Sequence, residues 1–404
     1  MPARRRSRSR LLPLAGLAGL AVLSACARNY PQTTLAPKSE FARTIDGVFM
    51  HTVWWGLAVF VIVEALLLYI MFRYRERPGS QAKPEHVHGH TRLEIAWTVA
   101  PAIILAFIAV PTIRAIFVTQ DMTPLGGDLK VRVIGHQWWW QFQYPDLHVV
   151  TANELHLPVG ARAVFDLETA DVIHSFWIPE LAGKRDVIPR HVNHIWFTPE
   201  VPGTYTGQCA ELCGTSHARM GFRVIVDSPE DFRAWVENQR RPAVAYAAPT
   251  PTPAPAESEA APAETAPAES ASAAAPAAPA ESPAPPPAAP ETETPAGASA
   301  RGDTLTWKGG VVGDPAAGAA LFQRSACVAC HTISGTAAKG QVGPDLTHVG
   351  SRQRIAAELL PNTPENVARW LHDPPALKPG ALMPNLNLKP EQIADLVAYL
   401  ESLK

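Results

Sequence analysis

GQCAELCGTSHARM, residues 207–220, sets Cys209 and Cys213 four apart, His217 four further on and Met220 three beyond that. Two thiols, an imidazole and a thioether in one short loop are a soft metal-donor set. The same two cysteines read equally as a disulfide if the compartment is oxidising. A second stretch, DVIHSFWIP (171–179), offers His174 and brings the set to two Cys, two His and one Met. One cysteine with two histidines and a weak methionine would make a mononuclear copper centre. Two cysteines allow two coppers bridged by both sulfurs, with one histidine on each metal. A Cys2His2 zinc site is the rival, but zinc has no use for Met220 and carries no electrons. A disulfide would leave both histidines without a role.

The chain around this loop reads as β-structure. LKVRVIGHQWWWQFQY (129–144), ELHLPVGARAVFDLET (154–169), HIWFTPEVPGTYTGQC (194–209) and FRVIVD (222–227) are short β-rich runs separated by Pro/Gly turns. That spacing predicts a sandwich or barrel. SPEDFRAWVENQR (228–240) predicts a closing helix, with Ser228 as N-cap, Pro229 at the first position and Asp231 completing a capping box.

Upstream lie two apolar runs, 48–72 and 95–118. Each exceeds the roughly 20 residues a bilayer span needs. The connection carries Arg73, Arg75, Arg77, Lys83 and Arg92. Positive charge in a short loop marks the cytoplasmic side, so the hairpin begins and ends outside. Glu64 lies within the first span and Glu94 at the cytoplasmic start of the second. An acid at membrane depth is a functional candidate; a polar contact with a neighbouring subunit is the plainer reading for Glu64. The N-terminus reads as an export signal, with a basic MPARRRSRSR, an apolar LLPLAGLAGLAVL and then LSAC (23–26).

Downstream, residues 242–300 are built almost entirely from Ala, Pro, Glu, Ser and Thr, with no Lys or Arg and no large aliphatic residue beyond Val244. Such a segment cannot bury enough apolar surface to fold, so it reads as a disordered linker. About 55 flexible residues reach roughly 40 Å end to end, more with proline stiffening. The final stretch is helical in pattern and holds CVACH (327–331). C-x-x-C-H is the haem c attachment signature: two thiols, Cys327 and Cys330, bond the haem and His331 ligates its iron. Met383, the only methionine after Met220, is the expected sixth ligand; His348 and His372 are the alternatives. The chain of 404 residues has a net charge of −2, which excludes a role in binding nucleic acid through global charge. Its five cysteines are too few for a disulfide scaffold.

These motifs, in this order, resemble the subunit II family of haem–copper cytochrome c oxidases in its caa3-type form, with cytochrome c fused at the C-terminus. The resemblance covers nearly everything except the linker. It implies a multidomain chain: a lipoprotein-type signal (1–25), a two-helix transmembrane hairpin (40–120), an all-β cupredoxin-like sandwich (121–241), a Pro/Ala linker (242–302) and an all-α class I cytochrome c domain (303–404). It implies a binuclear CuA centre on His174, Cys209, Cys213, His217, Met220 and the backbone carbonyl of Glu211, with the Glu211 side chain on a magnesium ion facing subunit I. It implies Trp138 as the point where electrons reach copper, although three consecutive tryptophans leave that choice open. Glu94 would sit at the mouth of a proton pathway, and Cys26 would carry lipid. The expected partners are subunits I and III, a cytochrome c donor and membrane lipid. The expected place is the bacterial plasma membrane, with both electron-carrying domains outside. Electrons would pass from donor to haem c, to CuA and on to haem a of subunit I, where oxygen is reduced to water. Quinol-oxidising relatives lack the copper ligands that are present here. A nitric oxide reductase subunit and a stand-alone membrane electron carrier are the rival functions.

Overall fold

A computed structural model describes residues 32–75, 88–243 and 313–404. The export signal, Cys26, Arg77 and Lys83 of the connecting loop, and nearly all of the linker lie outside these residues.

Two long helices come first, α1 (Glu40–Arg73) and α2 (Thr91–Gln120). They run beyond the apolar stretches at both ends. Their hydropathy suits a lipid surround, and their apolar side chains are exposed along most of their length. Trp55 stacks on Phe107 across the pair, with ring centroids 5.6 Å apart. The outer end of α1 is fastened to the β-domain. Ser39 caps the helix through Ala42 N and gives its own hydroxyl proton to the Leu181 carbonyl. Phe41 meets Trp196 edge-on, and Arg43 pairs with Glu200.

The β-domain is a two-sheet sandwich. One sheet has the order β3 (Val149–Ala152), β2 (Trp139–Tyr144), β1 (Leu129–His136), β5 (Ala163–Thr169), β8 (Asn193–Phe197). The other has the order β4 (Glu154–Pro158), β10 (Gly221–Asp227), β9 (Gly203–Cys209), β6 (His174–Trp177), β7 (Arg185–Val187). Alternation puts Val131, Val133, Phe165, Leu167, Phe222 and Val224 inside while their neighbours face out. Phe176 and Phe222 stack at 4.8 Å and, with Trp140 and Phe142, form an aromatic core directly beneath the 207–220 loop. The closing helix α3 (Pro229–Arg240) starts as expected at Ser228, whose hydroxyl accepts from Asp231 N. The capping box is only half made: the Asp231 carboxylate accepts from the Ser228 hydroxyl rather than from its backbone N–H.

The C-terminal domain is helical. α4 (Pro315–Arg324) crosses the terminal helix α8 (Pro390–Ser402), with Phe322 edge-on to Tyr399 at 5.9 Å. A one-turn helix α5 (Cys327–Cys330) holds the two thiols, and α6 (Pro364–His372) is capped by Thr363 as its sequence predicts. The short α7 (Pro374–Leu377) leads into the loop that bears Met383.

Candidate functional site

Strand pairing assembles the first site. Phe176 of β6 lies opposite Cys209 of β9, and Cys209 N donates to the Met220 carbonyl at the base of the β9–β10 hairpin. The hairpin therefore closes the 210–220 loop onto the end of β6, where His174 sits. Cys209 Sγ is 3.9 Å from His174 Nδ1, 3.8 Å from Cys213 Sγ and 3.2 Å from the Glu211 carbonyl oxygen. Cys213 Sγ is 3.7 Å from His217 Nδ1 and 3.7 Å from Met220 Sδ. Donors bonded to a shared metal at about 2.0–2.3 Å stand apart by distances of this size. Both thiols are free, so the loop is not a disulfide. His174, Cys209 and Cys213 are all buried, and their ligand atoms lie within 4.8 Å of one another.

The surroundings prepare these donors. The hydrogen bond between the two sulfurs splits the pair: it holds Cys209 well below the ordinary thiol range and, with burial, pushes Cys213 above it. Burial alone would lower His174, but hydrogen bonds to Asp171 and Cys209 outweigh it and raise the imidazole. Asp171 Oδ1 lies 2.8 Å from His174 Nε2, which leaves Nδ1 turned toward the sulfurs. Gly135 makes room for that ring: a Cβ there would lie 2.8 Å from His174 Cδ2.

The three tryptophans take different places. Trp140 is fully buried, edge-on to His174, and reaches the Met220 carbonyl. Trp139 stacks on His136 at 4.2 Å. Trp138 gives its indole N–H to the Cys213 carbonyl at 3.2 Å and extends its far edge toward the helical domain, where a Cβ on Gly380 would lie 2.6 Å from it.

The second site is a cavity of about 310 Å³ in the helical domain, bordered by Cys327, Cys330, His331, Trp370 and Met383, with Trp138 and Trp139 at its rim. His331 Nδ1 donates to the Pro344 carbonyl at 2.8 Å, so the Nε2 lone pair is the one left to bind iron. Burial pushes this imidazole down and keeps it neutral. A largely apolar cavity with two thiols and an oriented imidazole on its wall fits a haem. His348 instead pairs with the Arg241 carbonyl at 3.1 Å and His372 is exposed; neither borders the cavity.

The remaining predicted residues sit apart. Glu94 Oε1 accepts from His90 N at 3.1 Å, and so helps cap α2. The Glu211 side chain is exposed.

Sequence reasoning missed the residues that join the two sites. Lys378, almost fully buried, donates to the carbonyls of Trp138 at 2.5 Å and Ala356 at 3.1 Å. Burial, with Arg219 nearby, pushes Lys378 down to about 7. Arg223 Nε meets Glu358 Oε2 at 2.7 Å, and Glu154 accepts from Gln353 N at 2.7 Å. Ala356, Ala357 and Glu358 all have positive φ (55°, 59° and 70°). A left-handed conformation costs an L-residue about 1–2 kcal/mol, so three in a row need support from what they touch. A run of alanines carries no signal for this in sequence. The basic residue in KPGALMP (378–384) was a visible one, but a lone lysine in a loop reads as solvated.

Three family models match the chain: cytochrome c oxidase subunit II, transmembrane domain, over 32–115; cytochrome c oxidase subunit II, periplasmic domain, over 147–228; and cytochrome c over 315–404. A relative from Alkalihalophilus pseudofirmus named cytochrome c oxidase subunit 2 is 34% identical, over 99% of this chain and 98% of its own. Another of that name, from a Bacillus species, is 31% identical over 82% of this chain and 80% of its own. The solved periplasmic domain of subunit II of a Bradyrhizobium japonicum cytochrome oxidase is 33% identical and matches 30% of this chain and 97% of its own, with a TM-score of 0.28.

Proposed function

The chain belongs to the cytochrome c oxidase subunit II family, with a cytochrome c domain at its C-terminal end, and we propose that it is the electron-input subunit of a proton-pumping respiratory oxidase. Its helical domain would hold the haem c that receives electrons from an external cytochrome, and its sandwich the binuclear CuA centre that hands them to subunit I, the site of oxygen reduction. Bound here, the two metal groups would each supply one-electron redox chemistry. The observation that carries the reading is Trp138, which touches the backbone of Cys213 on one side and the rim of the Cys327–Cys330–His331 cavity on the other.

The chain's own residues do the positioning. His174, Cys209, Cys213, His217, Met220 and the Glu211 carbonyl would hold CuA. Asp171 holds His174 in one ring orientation and one tautomer. Thiol protons must leave when metal binds, so loading is favoured as pH rises. Burial of the donors excludes water and limits rearrangement around them. In the helical domain, Cys327 and Cys330 would bond the haem covalently, His331 would bind iron through Nε2 and Met383 would be the second protein ligand to the iron. Trp138 is the point where electrons reach copper. Trp140 also touches ligand residues, but it is sealed in the sandwich core and does not border the cavity.

Further assignments follow from the family. The exposed Glu211 carboxylate would hold magnesium against subunit I, Glu94 would stand at a proton pathway, and Cys26 would carry lipid. Subunit III and a cytochrome c donor complete the set of partners. The two apolar helices and the periplasmic-domain match fit a two-pass membrane protein. The bacterial plasma membrane, with the sandwich and haem domain outside, is the corresponding location.

The test is purification of the complex in mild detergent, metal analysis, and oxygen uptake with a reduced cytochrome. Two coppers and one covalent haem per chain, with uptake abolished by Cys209→Ser, is the expected result. Zinc in place of copper, or uptake indifferent to Cys209→Ser, overturns the reading.

A further inference from the structure

The face of the sandwich that carries the copper loop is covered by two loops of the helical domain. One is the turn between Arg354–Ile355 and Leu360–Pro361; the other runs from Leu377 to Met383. Both meet the sandwich with matched chemistry. Glu358 pairs with Arg223 of β10 and also with Arg354 of its own turn. The buried Ala357 sits against Trp139 and Ala152. In the second loop, the Pro379 carbonyl accepts from Ser216 at 2.6 Å and the Leu377 carbonyl accepts from Arg219 at 2.7 Å. Lys378 ties both loops to Trp138.

Three consecutive non-glycine residues in the left-handed region are costly; inside their own turn only Glu358 is held, by Arg354, which donates to its carbonyl at 3.0 and 2.8 Å and pairs with its carboxylate. In this conformation the Ala356 carbonyl reaches Lys378, the Ala357 methyl is buried between domains and the Glu358 carboxylate reaches Arg223. Ala357 and Glu358 are thus engaged directly by the sandwich, and Ala356 is engaged through Lys378, which itself bonds the Trp138 carbonyl.

We propose that Ala356–Glu358 is a docking knuckle that seats the helical domain on the copper-loop face in one register, with Lys378 as a positioning residue that fixes the Met383 loop against Trp138. The occupant of this face is the chain's own C-terminal domain. An external donor must then approach the haem domain by another surface. The proposal rests on the functional reading above, because the seated geometry matters only if electrons cross there.

The test uses the full chain in its complex. Amide hydrogen exchange is followed over 354–361 and 221–227, together with electron transfer from photoreduced haem to copper. Arg223→Glu and Glu358→Arg should each raise exchange in both segments and slow transfer by about tenfold, equivalent to about 1.4 kcal/mol. The double swap should restore both, which a purely local loss of stability would not do. Lys378→Met should slow transfer with the copper spectrum and haem potential unchanged, and Lys378→Arg should recover part of the rate. If Arg223→Glu loses its copper spectrum, Ala357→Trp decides by opening the same contact from the other side. Single variants that match the wild type in exchange and rate, or a double swap no better than its parents, overturn the knuckle. A wild-type chain whose haem passes no electron to copper overturns the functional reading instead.

Discussion

At the scale of single residues, the donors are arranged by atoms that do not themselves touch metal. Gly135 is the sharpest case. A methyl added there would press on His174 Cδ2 at 2.8 Å, with Trp140 behind it at 3.4 Å. Gly135→Ala should therefore lower copper occupancy and change the copper spectrum although no ligand is altered; a chain with full copper and an unchanged spectrum would refute this. Gly126→Ala, where nothing lies within 4 Å, is the control. Asp171→Asn keeps a hydrogen bond to His174 but removes the charge. Copper affinity should fall about 10–100-fold, read by competition with a chelator. The convergence of His174 with Cys209, Cys213, His217 and Met220 was legible because metal chemistry favours these residue types and because the loop spacing is local. Asp171 stood in view in the same motif, but nothing in the sequence says which way a carboxylate three residues from a histidine will turn.

At the scale of elements, the sandwich is legible where alternation is strict and opaque where strands meet. Nothing in LKVRVIGH announces that β1 pairs in parallel with β5, 34 residues away, with Lys130 opposite Val164. Arg132 and Glu168 clasp that pair through two hydrogen bonds. The hydrogen bond from Arg132 holds the Glu168 carboxyl below its ordinary range. A carboxyl depressed by folding stabilises the native state above its unfolded pKa, and that contribution is lost as pH falls through the folded value. Glu168→Gln should thus destabilise the β-domain at neutral pH and flatten its acid limb below about pH 4. Parallel melting curves for both proteins at pH 7 and pH 3 check this, and an equal gap at the two pH values would refute it. Phe222 tests the aromatic core. It stacks on Phe176 and follows Met220 by two residues, so Phe222→Ala should cost about 3–5 kcal/mol in denaturant unfolding and loosen the copper loop.

At the scale of the molecule, a linker joins a domain with nine Lys/Arg and nine Asp/Glu over 303–404 to the sandwich it serves. A neutral module gains little from long-range steering. A flexible tether of that length would substitute for it by holding the haem domain at an effective concentration on the order of millimolar. Cutting the linker should make turnover with a small donor fall on dilution, whereas the intact chain should be indifferent. Turnover that stays constant on dilution after cleavage would show that docking alone suffices.

The domain order, the two apolar helices, the sandwich and the candidate metal donors were all legible from sequence alone. Each of these is written in local terms: hydrophobic length, alternation, turn residues and the softness of the ligand atoms. Tertiary structure decided what lies between them. That Trp138 and Trp139 border the cavity and Trp140 does not depends on strand register and domain seating. The roles of Lys378, Glu358 and the left-handed Ala357 depend on partners more than 100 residues away, across a domain boundary. The physical reason is that a buried cation, an ion pair or a strained turn is stable only through its neighbours, and those neighbours are set by packing rather than by position along the chain.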